Sequence, residues 1–182
     1  MTTTTTGSYL TLDDGIPAVR FTRTYDRPID RVWQYVTDPA DLARWFPSAF
    51  EAKELAPGAP IRFFGDPDQP ESTGLVLAAE APRHFSFSWG GDELHYDLEE
   101  RGDGGTHLTL TNVLVTHDTA ARNAAGWEVC LAALDAADRG EDPGPSHTGA
   151  SVRWKALYDA YVAAGFPSGA PVPGLDGPDA PA

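Results

Sequence analysis

Apolar positions along this chain recur with two different periods, and the switch between them lays out the elements. Ile29, Val32, Trp33 and Val36 stand at i, i+3, i+4 and i+7, one face of a helix over Ile29 to Thr37 with Pro28 suited to its first position. Asp38 can cap a second helix, with Pro39 at its start, Asp41 in its first turn, and Leu42, Trp45 and Phe46 on its buried side. Upstream, Tyr9 to Leu12 and Ala18 to Tyr25 flank Asp13-Asp14-Gly15, a hairpin in which Asp-Gly supplies positive φ angles. Downstream, short segments follow at regular spacing: Phe50 to Leu55, Ile61 to Phe64, Leu75 to Glu80, Phe85 to Trp89, Leu94 to Glu100 and Thr106 to Val115. Turn signals rich in Gly, Pro and Asp separate them, so they read as an antiparallel meander.

Alternation assigns the faces. Phe85, Phe87 and Trp89, then Leu94, Tyr96 and Leu98, then Leu108, Leu110, Asn112 and Leu114 share one side, leaving it aromatic and apolar. Its cover is the segment Thr119 to Asp138, where Ala120, Ala124, Trp127, Leu131 and Leu134 keep 3.6-residue spacing and Gly140 stands where a C-terminal cap belongs. A Pro/Gly-rich link leads to a last helix near Ser151 to Ala164 carrying Trp154, Leu157, Tyr158 and Tyr161 on one side. The expected class is α+β: one domain over residues 8–166, with disordered ends at residues 1–7 and 167–182.

Charge and cysteine count narrow the function. A formal net charge of -14 argues against nucleic acid and anionic membranes, which call for clustered Lys and Arg. The single cysteine, Cys130, excludes an internal disulfide and every multi-cysteine metal site. The N-terminus lacks a signal peptide's basic and apolar regions, and no apolar run approaches the roughly 20 residues of a membrane span, so a cytoplasmic location is expected.

Local motifs for catalysis or metal binding are missing. His84, His95, His107, His117 and His147 have no paired ligand spacing, and no cofactor or metal is expected. Asp66, Asp68 and Glu71 lack the glycine and terminal Glu of a calcium loop. Ser146-His147 lies in a linker, and Gly102 to Gly105 form a hairpin turn with no helix start behind them. The aromatics hold the interest: Trp45, Phe64, Trp89, Tyr96, Asn112 and Trp127 are expected to line one space between sheet and long helix. Tyr96 and Asn112 are polar groups on the inward face, each needing a partner from protein, water or ligand. Gly126, mid-helix beside Trp127, points to close approach by another element or a ligand.

The segments VWQYVTDPADLARWFP (Val32 to Pro47), FSWGGDELHYDLE (Phe87 to Glu99), GTHLTLTN (Gly105 to Asn112) and AAGWEVCLAAL (Ala124 to Leu134) carry a family resemblance. They are similar to the SRPBCC superfamily of START lipid-transfer domains, polyketide cyclases and birch-allergen-like proteins, in its bacterial branch of homologues of an activator of the 90-kDa heat-shock-protein ATPase. One departure is Leu110-Thr111-Asn112, where members often read Leu-Thr-His. The resemblance implies the helix-grip fold, a curved antiparallel sheet wrapped around a long C-terminal helix with two short helices closing one end. It implies no shared catalytic constellation. The first expectation is therefore binding of a small hydrophobic or amphipathic ligand between sheet and long helix, with no catalytic residues. A polyketide cyclase/aromatase-like or hydrolase-like enzyme using Tyr96 and Asn112 is the enzymatic alternative. A chaperone-ATPase-interacting module is the third, although the eukaryotic activator resembles this chain in only one of its domains.

Overall fold

A computed structural model describes residues 6–66, 69–144 and 151–172. Ser8–Thr11 (β1) and Pro17–Tyr25 (β2) form the first hairpin, closed by a 3-10 turn in which Asp14 and Gly15 both take positive φ. Ile29–Thr37 (α1) follows, and Asp38 then caps Pro39–Leu42 (α2) by accepting from the Ala40 and Asp41 amides at 2.9 and 3.2 Å. This second helix stops sooner than its apolar spacing predicts. The chain continues to Phe46 in turns, which still bury Trp45 and Phe46.

Six further strands complete the sheet: Ala49–Ala52 (β3), Pro60–Phe64 (β4), Ser72–Glu80 (β5), His84–Trp89 (β6), Asp92–Glu100 (β7) and Thr106–Val113 (β8). All pairings are antiparallel, in the order β1-β2-β8-β7-β6-β5-β4-β3. Only β2 and β8 pair out of sequence order, with α1 and α2 carrying the chain across. Ala120–Asp138 (α3) lies on the concave face, entered by a 3-10 turn at His117–Thr119, and Gly140 at φ 76° ends it as expected. This is the helix-grip fold.

On its far side α3 meets Val152–Ala163 (α4), whose Trp154, Leu157 and Tyr161 are buried. That second contact explains why α3 is buried nearly all round rather than along one stripe. The close approach expected at Gly126 is not found: a Cβ there would meet only the Trp154 indole nitrogen at an ordinary 4.0 Å, so α4 faces this position without requiring the glycine.

Order extends past the boundaries that composition sets. The Thr6 amide donates to Glu128 Oε2 at 3.0 Å and the Gly7 amide to the Tyr161 hydroxyl at 2.9 Å. Pro167 supplies its carbonyl to the Ala121 amide at 3.0 Å, an orphan donor of the first turn of α3, and Arg122 reaches the Pro171 carbonyl at 2.8 Å. The tail is thus held against the start of α3 through residue 171. Residues 1–5 and 173–182, Asp68 and the Ser146-His147 linker lie outside the described residues.

Candidate functional site

Between the sheet and α3 lies a layer of rings, and Phe46 is its hub. Its ring centroid is 5.9 Å from Trp45, 6.2 Å from Phe63, 6.1 Å from Phe87, 5.2 Å from Trp89 and 5.9 Å from Trp127. The turn after α2 thereby plugs the centre of the aromatic layer. Trp89 and Trp127 also meet directly at 5.7 Å, and Trp45 meets Tyr96 at 6.1 Å. Trp45, Trp89, Tyr96 and Trp127, four of the six residues expected to line one space, pack into this ring layer, whose centre Phe46 fills.

Phe64 does not. Ile61 and Phe63 are the inward residues of β4, and Phe64 turns to the outer face, where the Arg62 guanidinium lies 4.4 Å over its ring. In a strand, adjacent side chains point to opposite faces, so a Phe-Phe pair puts one ring inside and one outside. Phe63 holds the position expected of Phe64.

Asn112 is fully engaged by protein. Its Oδ1 accepts from Trp127 Nε1 and Asn123 Nδ2, both at 3.0 Å, and its Nδ2 donates to Asp92 Oδ2 at 3.2 Å and to the Glu93 carbonyl at 3.3 Å. Asn123 Nδ2 also donates to Asp92 Oδ2 at 2.9 Å, and Asp92 Oδ1 takes the Val115 amide at 3.0 Å. This network ties β7 and β8 to α3 and fixes the Trp127 indole. It leaves Asn112 no free polar atom for a ligand.

Tyr96 is different. Its ring is fully buried against Trp45, Phe85 and Phe87, yet its hydroxyl is the one buried side-chain oxygen or nitrogen among the described residues without a hydrogen-bond partner. Such an orphan costs about 1–3 kcal/mol. Burial, then the nearby Cys130 thiol, raise the Tyr96 pKa well above the ordinary tyrosine value. Burial and the Asp66 carboxylate push the Cys130 thiol up to about 12. The interior thus presents a neutral phenol beside a neutral thiol, with Asp66, just after β4, at its margin.

The opposite margin of α3 carries the buried charge that the sequence did not reveal. Glu128 accepts from Arg23 at 3.2 Å, from Thr6 Oγ1 at 2.7 Å, and in a short bond from the Tyr161 hydroxyl. About two turns on, Asp135 pairs with Arg23 at 3.2 Å and accepts from the Tyr25 hydroxyl at 2.8 Å. Asp138 pairs with Arg27 at 2.9 Å and accepts from Tyr35 at 2.7 Å. Spacings of seven and ten residues place all three acids on one helix face, and that face fastens α3 to β2, α1 and α4.

One further feature is polar and lies elsewhere. An open cleft of about 450 Å³ beside Ala43, Arg44 and residues 140–144 includes none of the interior residues. No group of three or more His, Cys, Asp or Glu among the described residues could hold a metal ion. No helix among them is long and apolar enough to cross a membrane.

Residues 26–137 match the family of Activator of Hsp90 ATPase homolog 1-like proteins. The chain belongs to that family. Its SRPBCC-type helix grip is a ligand-binding class of fold. No curated protein matches the sequence. Among solved structures, CalU16 from Micromonospora echinospora is 27% identical with a TM-score of 0.65, over 86% of this chain and 94% of its own. Protein EF2215 from Enterococcus faecalis, of unknown function, is 21% identical with a TM-score of 0.67, over 87% and 89%. DynU16, from the dynemicin biosynthetic locus, is 24% identical with a TM-score of 0.58, over 69% of this chain and 49% of its own. At their identities the last two share the fold alone. The family match spans β3 to β8, α1, α2 and nearly all of α3, whereas α4 and both flanking segments lie outside it.

Proposed function

We propose that this protein binds a small apolar or amphipathic molecule between its curved sheet and α3. The observation that carries the reading is the Tyr96 hydroxyl, buried among rings with no partner although every polar atom of the neighbouring Asn112 network has one. A buried donor left open in an otherwise satisfied interior fits a site completed by a ligand. Access falls to the Phe46 turn: it hangs on a four-residue helix, and moving its ring clears the space between Trp45, Phe87, Trp89 and Trp127.

The enzymatic alternative gains nothing from Asn112, whose amide is committed and cannot also polarise a substrate oxygen. The chaperone-module alternative rests on the family name, which is fold-level analogy. Native mass spectrometry of freshly purified full chain, alone and with an uncharged naphthalene, tests the binding reading. A 1:1 adduct that persists under mild activation is expected. A chain that takes up no apolar molecule overturns it.

A further inference from the structure

We propose that the molecule held in this interior is an uncharged aromatic compound bearing a carbonyl-type oxygen, which the Tyr96 hydroxyl receives as its hydrogen-bond donor. The inference rests on the ligand-binding reading above and adds the ligand's charge and its one polar requirement.

The single polar point comes from the accounting of hydrogen bonds. Among the inward groups Asn112, Asn123 and Trp127 are bonded to one another and to Asp92, which leaves the Tyr96 hydroxyl to be satisfied. A phenol that stays protonated is a donor at every ordinary pH. Its natural complement is a lone acceptor rather than a polar headgroup with several donors and acceptors.

The absence of charge comes from what surrounds that hydroxyl. The arginines on and against the helices are engaged away from the Tyr96 hydroxyl: Arg23 with Glu128 and Asp135, Arg27 with Asp138, Arg31 with Asp41, Arg44 with the Glu141 carbonyl, and Arg122 with Asn123 Oδ1 and the Pro171 carbonyl. The ionisable groups that bear on this interior include Tyr96 itself, the Cys130 thiol, the Asp66 carboxylate and, in the Asn112 network, the Asp92 carboxylate. A ligand carboxylate would be desolvated with no cation to meet it and a negative charge nearby, so a fatty acid or other anion is rejected. An ammonium would lose its hydration beside a phenol and a thiol that both remain neutral, with the Asp66 carboxylate only at the margin of the interior. The aromatic preference follows from the walls, since Trp45, Phe85 and Phe87 already pack edge and face around the Tyr96 ring at 5.9–6.4 Å.

Isothermal titration calorimetry of the full chain with four naphthalenes of matched size tests this: 2-acetylnaphthalene, 2-ethylnaphthalene, 2-naphthoate and 2-naphthylmethylammonium. The ketone is expected to bind about 3- to 10-fold tighter than the ethyl compound, the span of one net hydrogen bond. In Tyr96→Phe that ratio should fall to about one while the ethyl compound keeps its affinity, because only the hydroxyl has gone. Naphthoate and the ammonium should bind at least about tenfold more weakly than the ketone. A ketone preference that survives Tyr96→Phe, or an ion that binds as tightly as the ketone, overturns the inference. If ketone and hydrocarbon bind the parent equally, the binding reading stands and this inference falls. If no naphthalene binds, both fall.

Discussion

Tyr96 and Asn112 sit on adjacent strands of the inner face, and their different satisfaction decides what each does. Replacing Tyr96 with Phe in the ligand-free protein removes an unpaired buried hydroxyl and keeps the ring contacts, so unfolding free energy should rise by about 1–3 kcal/mol in denaturant titrations. A loss of stability would mean that the hydroxyl has a partner in solution. Asn112→Ala should act the opposite way. It strands Trp127 Nε1 and takes one bond each from Asn123 and Asp92, which keep each other, and a loss of at least about 2 kcal/mol is expected, read by thermal melts and by a shift in tryptophan emission. At this scale alternation disclosed the inward polar pair but not which member was already paired. That depends on where Asn123 and Asp92 come to lie, and they are brought there by a helix and a hairpin remote in sequence. Phe64 was misplaced for a local reason, since a Phe-Phe doublet looks the same in either register until the pairing of Ile61 with Gly74 fixes it.

Among the elements, α3 carries the account, because it is gripped on two sides. Its sheet-facing stripe, Ala124, Trp127, Leu131 and Leu134, was legible from 3.6-residue spacing. The acidic face of Glu128, Asp135 and Asp138 was not, because a charged helix face normally belongs to solvent, and only α4 and the N-terminal segment reveal it as an interface. Glu128→Ala should therefore cost about 3–5 kcal/mol by leaving Arg23 and the Tyr161 hydroxyl without their carboxylate. A surface glutamate would show almost nothing in the same chemical denaturation. Two glycines separate close approach from mere tolerance. A Cβ on Gly74 of β5 would fall 1.9 Å from the Ser88 carbonyl oxygen, so Gly74→Ala should disrupt the β5 and β6 pairing. Gly126→Ala faces only the Trp154 indole at 4.0 Å and should stabilise α3 by about 0.5–1 kcal/mol, the ordinary helix preference of Ala over Gly.

For the molecule as a whole, buried acids of high pKa set the alkaline limit. Tyr25, Tyr96, Tyr161 and the Cys130 thiol all hold their protons more tightly when folded, chiefly through burial. The unfolded chain releases the thiol proton near pH 9 and the tyrosine protons near pH 10, so their stabilising contribution is complete below pH 9 and declines as pH rises toward 12. Thermal melts from pH 8 to 11 should show a plateau and then a steep fall, whereas a midpoint that rises above pH 10 would refute the assignment of these groups as buried. The family name prompts a second test at this scale. With net charge -14, the chain is expected to leave the ATPase rate of a bacterial heat-shock-protein-90 homologue unchanged within a factor of about two, and a several-fold increase would favour the chaperone module. The central claim, a ligand site under α3 with Tyr96 as its polar pole, is tested most directly by a crystal structure of the full chain soaked with 2-acetylnaphthalene. The expected map shows the naphthalene between Trp45, Phe87 and Trp127, its ketone oxygen within hydrogen-bond distance of the Tyr96 hydroxyl and the Phe46 ring displaced. A naphthalene bound only at the surface, with Phe46 still packed on Trp89 and Trp127, would contradict it.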